Sequence, residues 1–288
     1  MKIGFIGTGL MGQPMVLRLL EANLDVTVYN RTPSKLEPLA DAGATIVETA
    51  TDAIASTDCT ILMLSDAAAI KELVLSASSK HLTDRTLIQM GTIAPNQSKA
   101  INEAVTAAGG EYLEAPVLGS IPQVKTGDLI VMVGSTPDLF TRYQELLQNY
   151  SPKPIYVGEV GTASAMKLAL NQLIAGLTST FALSLSFVQR QGVDVEQFMD
   201  IVRDSALYAP TFDKKLSRMC DRNFANPNFP TKHLLKDTNL FLDSAAELNL
   251  NTSNLEGIKQ IIEQSISLGL ADGDYSAIYN AIAQDNEK

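Results

Sequence analysis

Two polar side chains stand four residues apart in the run Ala163-Ser164-Ala165-Met166-Lys167-Leu168-Ala169-Leu170-Asn171, whose other members are mostly small or apolar. On a helix that spacing puts Lys167 and Asn171 on one face, one turn apart. Burying an unpaired ammonium is costly, so the pair calls for a reason. A cleft where two domains meet supplies one, with the Lys167 ammonium against a substrate oxygen and Asn171 orienting it. A lysine snorkelling from an interface would account for the same residues.

The chain opens Lys2-Ile3-Gly4-Phe5-Ile6-Gly7-Thr8-Gly9-Leu10-Met11-Gly12, a short apolar strand followed by the G-x-G-x-x-G spacing. In a dinucleotide-binding turn the first glycine permits the tight bend, the second lets backbone approach a pyrophosphate, and the third packs helix on strand. The spacing predicts a helix over 10–22, whose free N–H groups and positive dipole end face that phosphate. A second strand over 25–29 completes the context that a glycine motif by itself lacks. A tight turn with no ligand is the bland alternative.

The end of the second strand selects the dinucleotide. A carboxylate there binds a ribose 2′-hydroxyl, whereas an arginine accommodates a 2′-phosphate. The chain reads Tyr29-Asn30-Arg31-Thr32-Pro33-Ser34-Lys35, with no acid. Arg31 offers a planar fork of donors, with Asn30, Thr32, Ser34 and Lys35 as helpers. The expected cofactor is NADP(H), against a merely solvated basic loop.

These residues need a scaffold. At 288 residues the chain predicts about two domains and can bury about 75% of its unfolded surface without a disulfide or metal. Cys59 and Cys220 fit no metal or redox motif, and a reducing cytoplasm is the expected compartment. No cleavable leader is expected, nor an apolar run long enough to cross a bilayer. A net charge of −10 and a pI near 4.7 argue against nucleic acid or an anionic membrane as partner. His81 and His233 are the only histidines.

Apolar runs at 3–6, 26–29, 45–47, 59–64, 86–90, 112–115, 129–133 and 155–157 alternate with helical patterns. That alternation predicts an α/β Rossmann domain with a mostly parallel sheet over 1–161. From 162 to 191 runs a long proline-free helical stretch that Gly192 would end. It leads into an all-helical domain over 162–288, with residues 285–288 as a frayed tail. Ligands of such sheets lie at the carboxyl ends of strands. Leu64 and Ser65 follow one such strand and Thr92 another, close to the expected nicotinamide; Thr92 is also a candidate helix cap. Gly119 and Ser120 form a turn after a strand, with backbone N–H groups free for a carboxylate. Lys236 and Asp237 follow the loop that contains Phe229 and pair locally or serve a site.

Five features in this order, spread over nearly the whole chain, resemble the β-hydroxyacid dehydrogenase family, nearest to its glyoxylate and succinic semialdehyde reductases. The shared features are Asn30-Arg31-Thr32, Met63-Leu64-Ser65-Asp66, Gly119-Ser120, Phe229-Pro230 with Lys232-His233, and Leu268-Gly269-Leu270 with Asp274-Tyr275-Ser276-Ala277. The resemblance implies reduction of small aldehyde acids by hydride from NADPH, with Lys167 as general acid/base and Asn171 as its partner. It implies that Thr92, Gly119, Ser120, Phe229 and Asp237 serve the substrate and that Lys236 contacts the cofactor. A homodimer or homotetramer follows by the same analogy. Leu118 replaces a family serine in the turn that receives the substrate carboxylate, and Glu114 replaces an aspartate. The rival expectations are an NAD-dependent 3-hydroxyisobutyrate or tartronate semialdehyde enzyme, and a redox-inactive NADP-binding scaffold.

Overall fold

A computed structural model describes residues 1–284; the tail expected at 285–288 lies outside them. The chain divides into two compact units, Met1–Lys167 and Leu168–Lys288. The division falls inside a continuous helix, five residues beyond its start.

The first unit alternates strands and helices. Strands β1 (Lys2–Ile6), β2 (Asp25–Tyr29), β3 (Thr45–Ile46), β4 (Cys59–Leu62), β5 (Thr86–Gln89) and β6 (Glu111–Glu114) are separated by helices α1 (Gly12–Glu21), α2 (Glu37–Asp41), α3 (Ala50–Ala55), α4 (Ala67–Ile70) and α5 (Pro95–Ala107). These six strands run parallel in the order β3-β2-β1-β4-β5-β6. The order reverses between β1 and β4, which is where open α/β sheets bind ligands.

Side chains explain the burial. Along β1, Ile3 and Phe5 enter one core cluster while Ile6 enters another; Ile88 and Leu113 join the first, Leu87 and Tyr112 the second. Successive residues thus face opposite apolar layers, so the strands read as unbroken apolar runs. Helix starts are chemically marked: Thr49 and Asp66 accept from the Asp52 and Ala69 N–H groups at the heads of α3 and α4.

The remainder of the sheet holds the antiparallel pairing that makes it mostly, not wholly, parallel, as expected. A two-residue strand β7 (Val117–Leu118) precedes α6 (Ile121–Thr126), and β8 (Ile130–Gly134) pairs antiparallel with both β7 and β6. After α7 (Pro137–Leu147), β9 (Ile155–Gly158) returns parallel to β8. A short connection through α6 turns the chain back, so β8 runs opposite to β7 and β6. The sheet is mostly parallel, with this antiparallel insertion.

Helix α8 (Thr162–Arg190) crosses the division, and the second unit adds α9 (Val195–Arg203), α10 (Pro210–Cys220), α11 (Thr231–Glu247), α12 (Ser253–Ser265) and α13 (Ile278–Ile282). Gly192, at φ +73°, ends α8, and Val193 N–H donates to the Val188 carbonyl. Two clusters fill this unit, one around Phe181, Leu185, Met199 and Met219, the other around Leu234, Leu255, Ile262 and Ile278.

One expectation is corrected. By length and composition α8 is long and apolar enough to cross a membrane, with 44% of its most apolar window buried inside the fold. Its mean hydropathy reaches that level although small polar residues interrupt the run. A core helix meets the same test, so the property is weak evidence for a membrane.

Candidate active site

Contacts, rather than flexibility alone, shape the first turn. Gly7 has φ +101°, and a Cβ there would collide with the Met63 carbonyl beyond β4. A Cβ on Gly12 would collide with the Gly7 carbonyl, so α1 starts directly against the turn. A Cβ on Gly9 would meet nothing within 4 Å. The first glycine bends the chain, the third packs the helix, and the second leaves open space beside the backbone where a pyrophosphate approaches. Thr8 is buried, and its Oγ1 has no hydrogen-bond partner among the described residues. No acidic side chain occupies the first turn of α1. Leu10 is exposed and Met11 half-buried beside the opening. An orphaned buried hydroxyl, open backbone and a bare helix N-terminus together fit a dinucleotide phosphate.

Asn30 connects this turn to β2. Thr8 N–H donates to Asn30 Oδ1 at 3.0 Å, and Asn30 Nδ2 donates to the Thr32 carbonyl at 3.0 Å. Arg31 and Thr32 stand exposed immediately after it. Their setting suits contact with a phosphate at the solvent edge.

The next two strand ends close on the turn. Leu64 lies against Gly7, and a Cβ on Gly91 would come within 2.5 Å of the Leu64 carbonyl oxygen. Ser65 donates to Asp66 at 2.7 Å. Thr92 is half-buried and is not the helix cap: Ala94 holds that place, its N–H donating to Gln97 Oε1 at 3.0 Å. Gly91 was not singled out from sequence, although a glycine directly after a buried strand is a usable signal.

The Gly119–Ser120 turn differs from its sequence reading. Gly119 has φ +131°, as a turn requires. The Ser120 N–H is not free, however: it donates to Gln123 Oε1 at 3.0 Å, and Ser120 Oγ donates to the same oxygen at 2.9 Å. Ser120 begins α6, and the glutamine three residues on satisfies its donors. A substrate carboxylate at this turn must take over donors that Gln123 now holds.

Lys167 is half-buried on α8, one turn before Asn171. The head of that helix is held by Glu114, a side chain only 1% exposed. Glu114 Oε1 accepts from the N–H groups of Gly161, Ala163 and Ser164 at 2.8, 2.9 and 3.2 Å. Its Oε2 accepts from Ser164 Oγ at 2.6 Å and from Ser98 Oγ. Sequence reading gave Glu114 no role; its signal was a lone acid inside the apolar strand Tyr112-Leu113-Glu114-Ala115.

In the second unit Asn171 and Asp237 are both 3% exposed. Asn171 Nδ2 donates to Asp237 Oδ2 at 2.6 Å. Since a carboxylate only accepts, this contact assigns the amide orientation, and Asn171 Oδ1 is left without a protein partner among the described residues. Lys236 Nζ lies 2.8 Å from Asp237 Oδ1, near enough for an ion pair but out of line for a hydrogen bond. Phe229 is farther along: its ring meets His233 and Tyr275 at centroid distances of 6.2 and 5.8 Å. Burial, and then the Lys236 ammonium, hold the His233 imidazole below its ordinary pKa. The fold thus joins Asn171, Asp237 and Lys236, and separately Gly7, Thr8, Gly12, Asn30 and Leu64.

A doubly covered, mostly parallel sheet, a G-x-G-x-x-G turn and an orphaned hydroxyl beside a helix N-terminus define a dinucleotide-binding protein. Comparison with known proteins narrows the class. Residues 2–158 match the NAD binding domain of 6-phosphogluconate dehydrogenase, and residues 161–282 match the NAD-binding region of NADP-dependent 3-hydroxyisobutyrate dehydrogenase. Glyoxylate/succinic semialdehyde reductase 1 of Arabidopsis thaliana is 31% identical over 285 residues, covering 98% of each chain. The cytokine-like nuclear factor N-PAC of Homo sapiens is 29% identical over 283 residues, and there the chain spans 51% of the relative. A solved 3-hydroxyisobutyrate dehydrogenase of Mycobacterium tuberculosis with L-serine superposes with TM-score 0.87 at 23% identity, covering 98% of both chains. The chain belongs to the β-hydroxyacid (3-hydroxyisobutyrate) dehydrogenase family.

Proposed function

We propose that this protein is an NADPH-dependent reductase of small aldehyde acids, forming glycolate from glyoxylate and 4-hydroxybutyrate from succinic semialdehyde. The observation that carries the reading is the half-buried Lys167 one helical turn from Asn171, whose amide is oriented by Asp237 so that its Oδ1 is unspent. When bound, the nicotinamide supplies hydride to the carbonyl carbon. Lys167, as ammonium, polarises the carbonyl oxygen and donates the proton that the nascent alkoxide takes up. Asn171 Oδ1 accepts from the ammonium or the product hydroxyl, keeping that proton aimed. Thr92, Gly119 and Ser120 hold the acid group, with Phe229 and Asp237 completing the substrate contacts. Gly7 to Gly12, Asn30, Arg31, Thr32, Leu64, Ser65, Thr92 and Lys236 are the proposed cofactor residues. Exposed Arg31, with no acid across 30–35, supports NADP(H) over NAD(H).

The test is Lys167→Ala, assayed by loss of NADPH absorbance with glyoxylate. A fall in kcat of about 10²–10⁴ is expected for a lost general acid, with NADPH affinity unchanged. Turnover near normal overturns the role of Lys167. Oxidation of 3-hydroxyisobutyrate with NAD+ in preference to reduction of glyoxylate with NADPH overturns the substrate and cofactor assignment, and no substrate-dependent turnover at all leaves a binding scaffold.

We also propose a homo-oligomer, supported by the exposed Leu173, Leu177, Leu183 and Phe187 along α8. Light scattering on the eluting protein tests it; a monomer at assay concentration overturns it.

A further inference from the structure

We propose that Glu114 is a positioning residue: its buried carboxylate sets the rotation and height of the first turn of α8 and thereby aims Lys167. The proposal rests on the reading of Lys167 as proton donor. The first four N–H groups of a helix have no partner within it. Here a strand residue supplies the acceptor for two of them, at Ala163 and Ser164, and for the Gly161 N–H just ahead. Ser164 adds its hydroxyl at 2.6 Å, so backbone and side chain of one residue are both clamped. Ser164 precedes Lys167 by three residues, a rise of about 4.5 Å, which is less than one turn. Slack at Ser164 therefore passes directly to the lysine.

The same carboxylate reaches two other segments. Ser98, which donates to Glu114 Oε2, belongs to α5, the helix that follows Thr92. Ser98 also bonds the Tyr112 hydroxyl at 2.9 Å, which buttresses it from β6. Glu114 itself ends β6, and the chain runs on from it to Gly119 and Ser120. One acceptor-only group thus joins the three segments of the first unit that carry the proposed substrate contacts.

Length matters as well as charge. Glu114 pairs across the sheet with Gly134, and a Cβ on Gly134 would collide with the Glu114 carboxylate. The bare glycine gives the glutamate its room. A shorter aspartate would leave that space empty and fall short of the five donors.

The experiment is a double-mutant cycle on the intact chain with NADPH and glyoxylate, using Glu114→Gln, Lys167→Ala and the double variant, with thermal melting alongside. Glu114→Gln is expected to lower kcat about 10–10²-fold, the cost of misplacing a catalytic group by about 1 Å, with KM for NADPH unchanged. In the Lys167→Ala background the same change is expected to cost no further activity. A kcat for Glu114→Gln equal to wild type overturns the proposal. So does an equal fold-loss in both backgrounds, which would make Glu114 a structural residue only. Glu114→Asp is expected to fall between wild type and Glu114→Gln. If Glu114→Gln does not fold, Ser164→Ala replaces it in the cycle, because it removes one hydroxyl and keeps the backbone bonds; independence from Lys167 then overturns the proposal in the same way. Failure of the parent reading is seen separately, as normal kcat in Lys167→Ala alone.

Discussion

Glu114 in the first unit and Asp274 in the second are both buried carboxylates, but their partners differ in kind. The five donors on Glu114 are neutral: three backbone N–H groups and two hydroxyls. Asp274 instead receives the Lys215 ammonium at 2.8 Å on each oxygen, with the Ser276 N–H and hydroxyl at 3.1 and 2.7 Å on one of them. Burial pushes the Lys215 pKa down, while Asp274 pulls it back up. The ammonium also lies 4.1 Å from the centre of the Tyr275 ring. An ion pair between two side chains can be exchanged as a unit for apolar residues. Where a carboxylate faces backbone that exchange fails, since the N–H groups remain whatever side chain replaces it: three at the head of α8 for Glu114, one at Ser276 for Asp274.

The sharpest break in this contrast is Glu114→Leu. It strands five donors at about 1–3 kcal/mol each, so a large loss of stability, or no folded protein, is expected in denaturant unfolding. A variant within about 1 kcal/mol of wild type would erase the distinction between the two acids. Next comes Lys215→Met, which leaves Asp274 buried and uncompensated and is expected to cost about 3–5 kcal/mol. The double change Lys215→Met with Asp274→Asn, which removes both charges and keeps an oxygen for the Ser276 N–H and hydroxyl, should recover much of that loss; a double variant no better than the single one contradicts the pairwise account. Tyr112→Phe removes only the outer bond to Ser98 and should cost about 1 kcal/mol.

The smallest effect is one of pH. Burial lowers the His233 pKa below 6.5 in the folded chain, so the unfolded chain binds that proton more readily. Its contribution to stability is therefore complete above about 6.5 and is lost as pH falls through the depressed folded value. His233→Asn should flatten this part of the stability–pH curve. An unchanged slope in that variant would assign the dependence to other groups.

Local signals were legible where neighbours in sequence are neighbours in space. The glycine turn, the strand runs and the end of α8 at Gly192 all follow from steric rules acting over a few residues. The antiparallel pairing of β7 with β8 was not legible, because a two-residue strand carries no periodicity and its direction depends on a partner. The Ser120 N–H was expected to be free, yet Gln123, three residues on, takes it. That pattern was present in the chain as a capping box and went unread. Glu114 showed only as an acid in an apolar strand, and Asp237 as an acid beside a lysine to which the family resemblance, not its spacing, gave a substrate role. The donors of Glu114 lie 16 and 47–50 positions away, and the amide partner of Asp237 lies 66 away.

By itself the amino-acid order determined the kind of fold, the turn that receives a dinucleotide, and the single helix turn separating Lys167 from Asn171. Backbone sterics and side-chain period act locally, so these survive without knowledge of packing. Tertiary structure decided which donors are spent. It committed Asn171 Nδ2 to Asp237 and the head of α8 to Glu114. A hydrogen bond between distant residues exists only once the chain has closed the loop between them, and no local pattern encodes that closure.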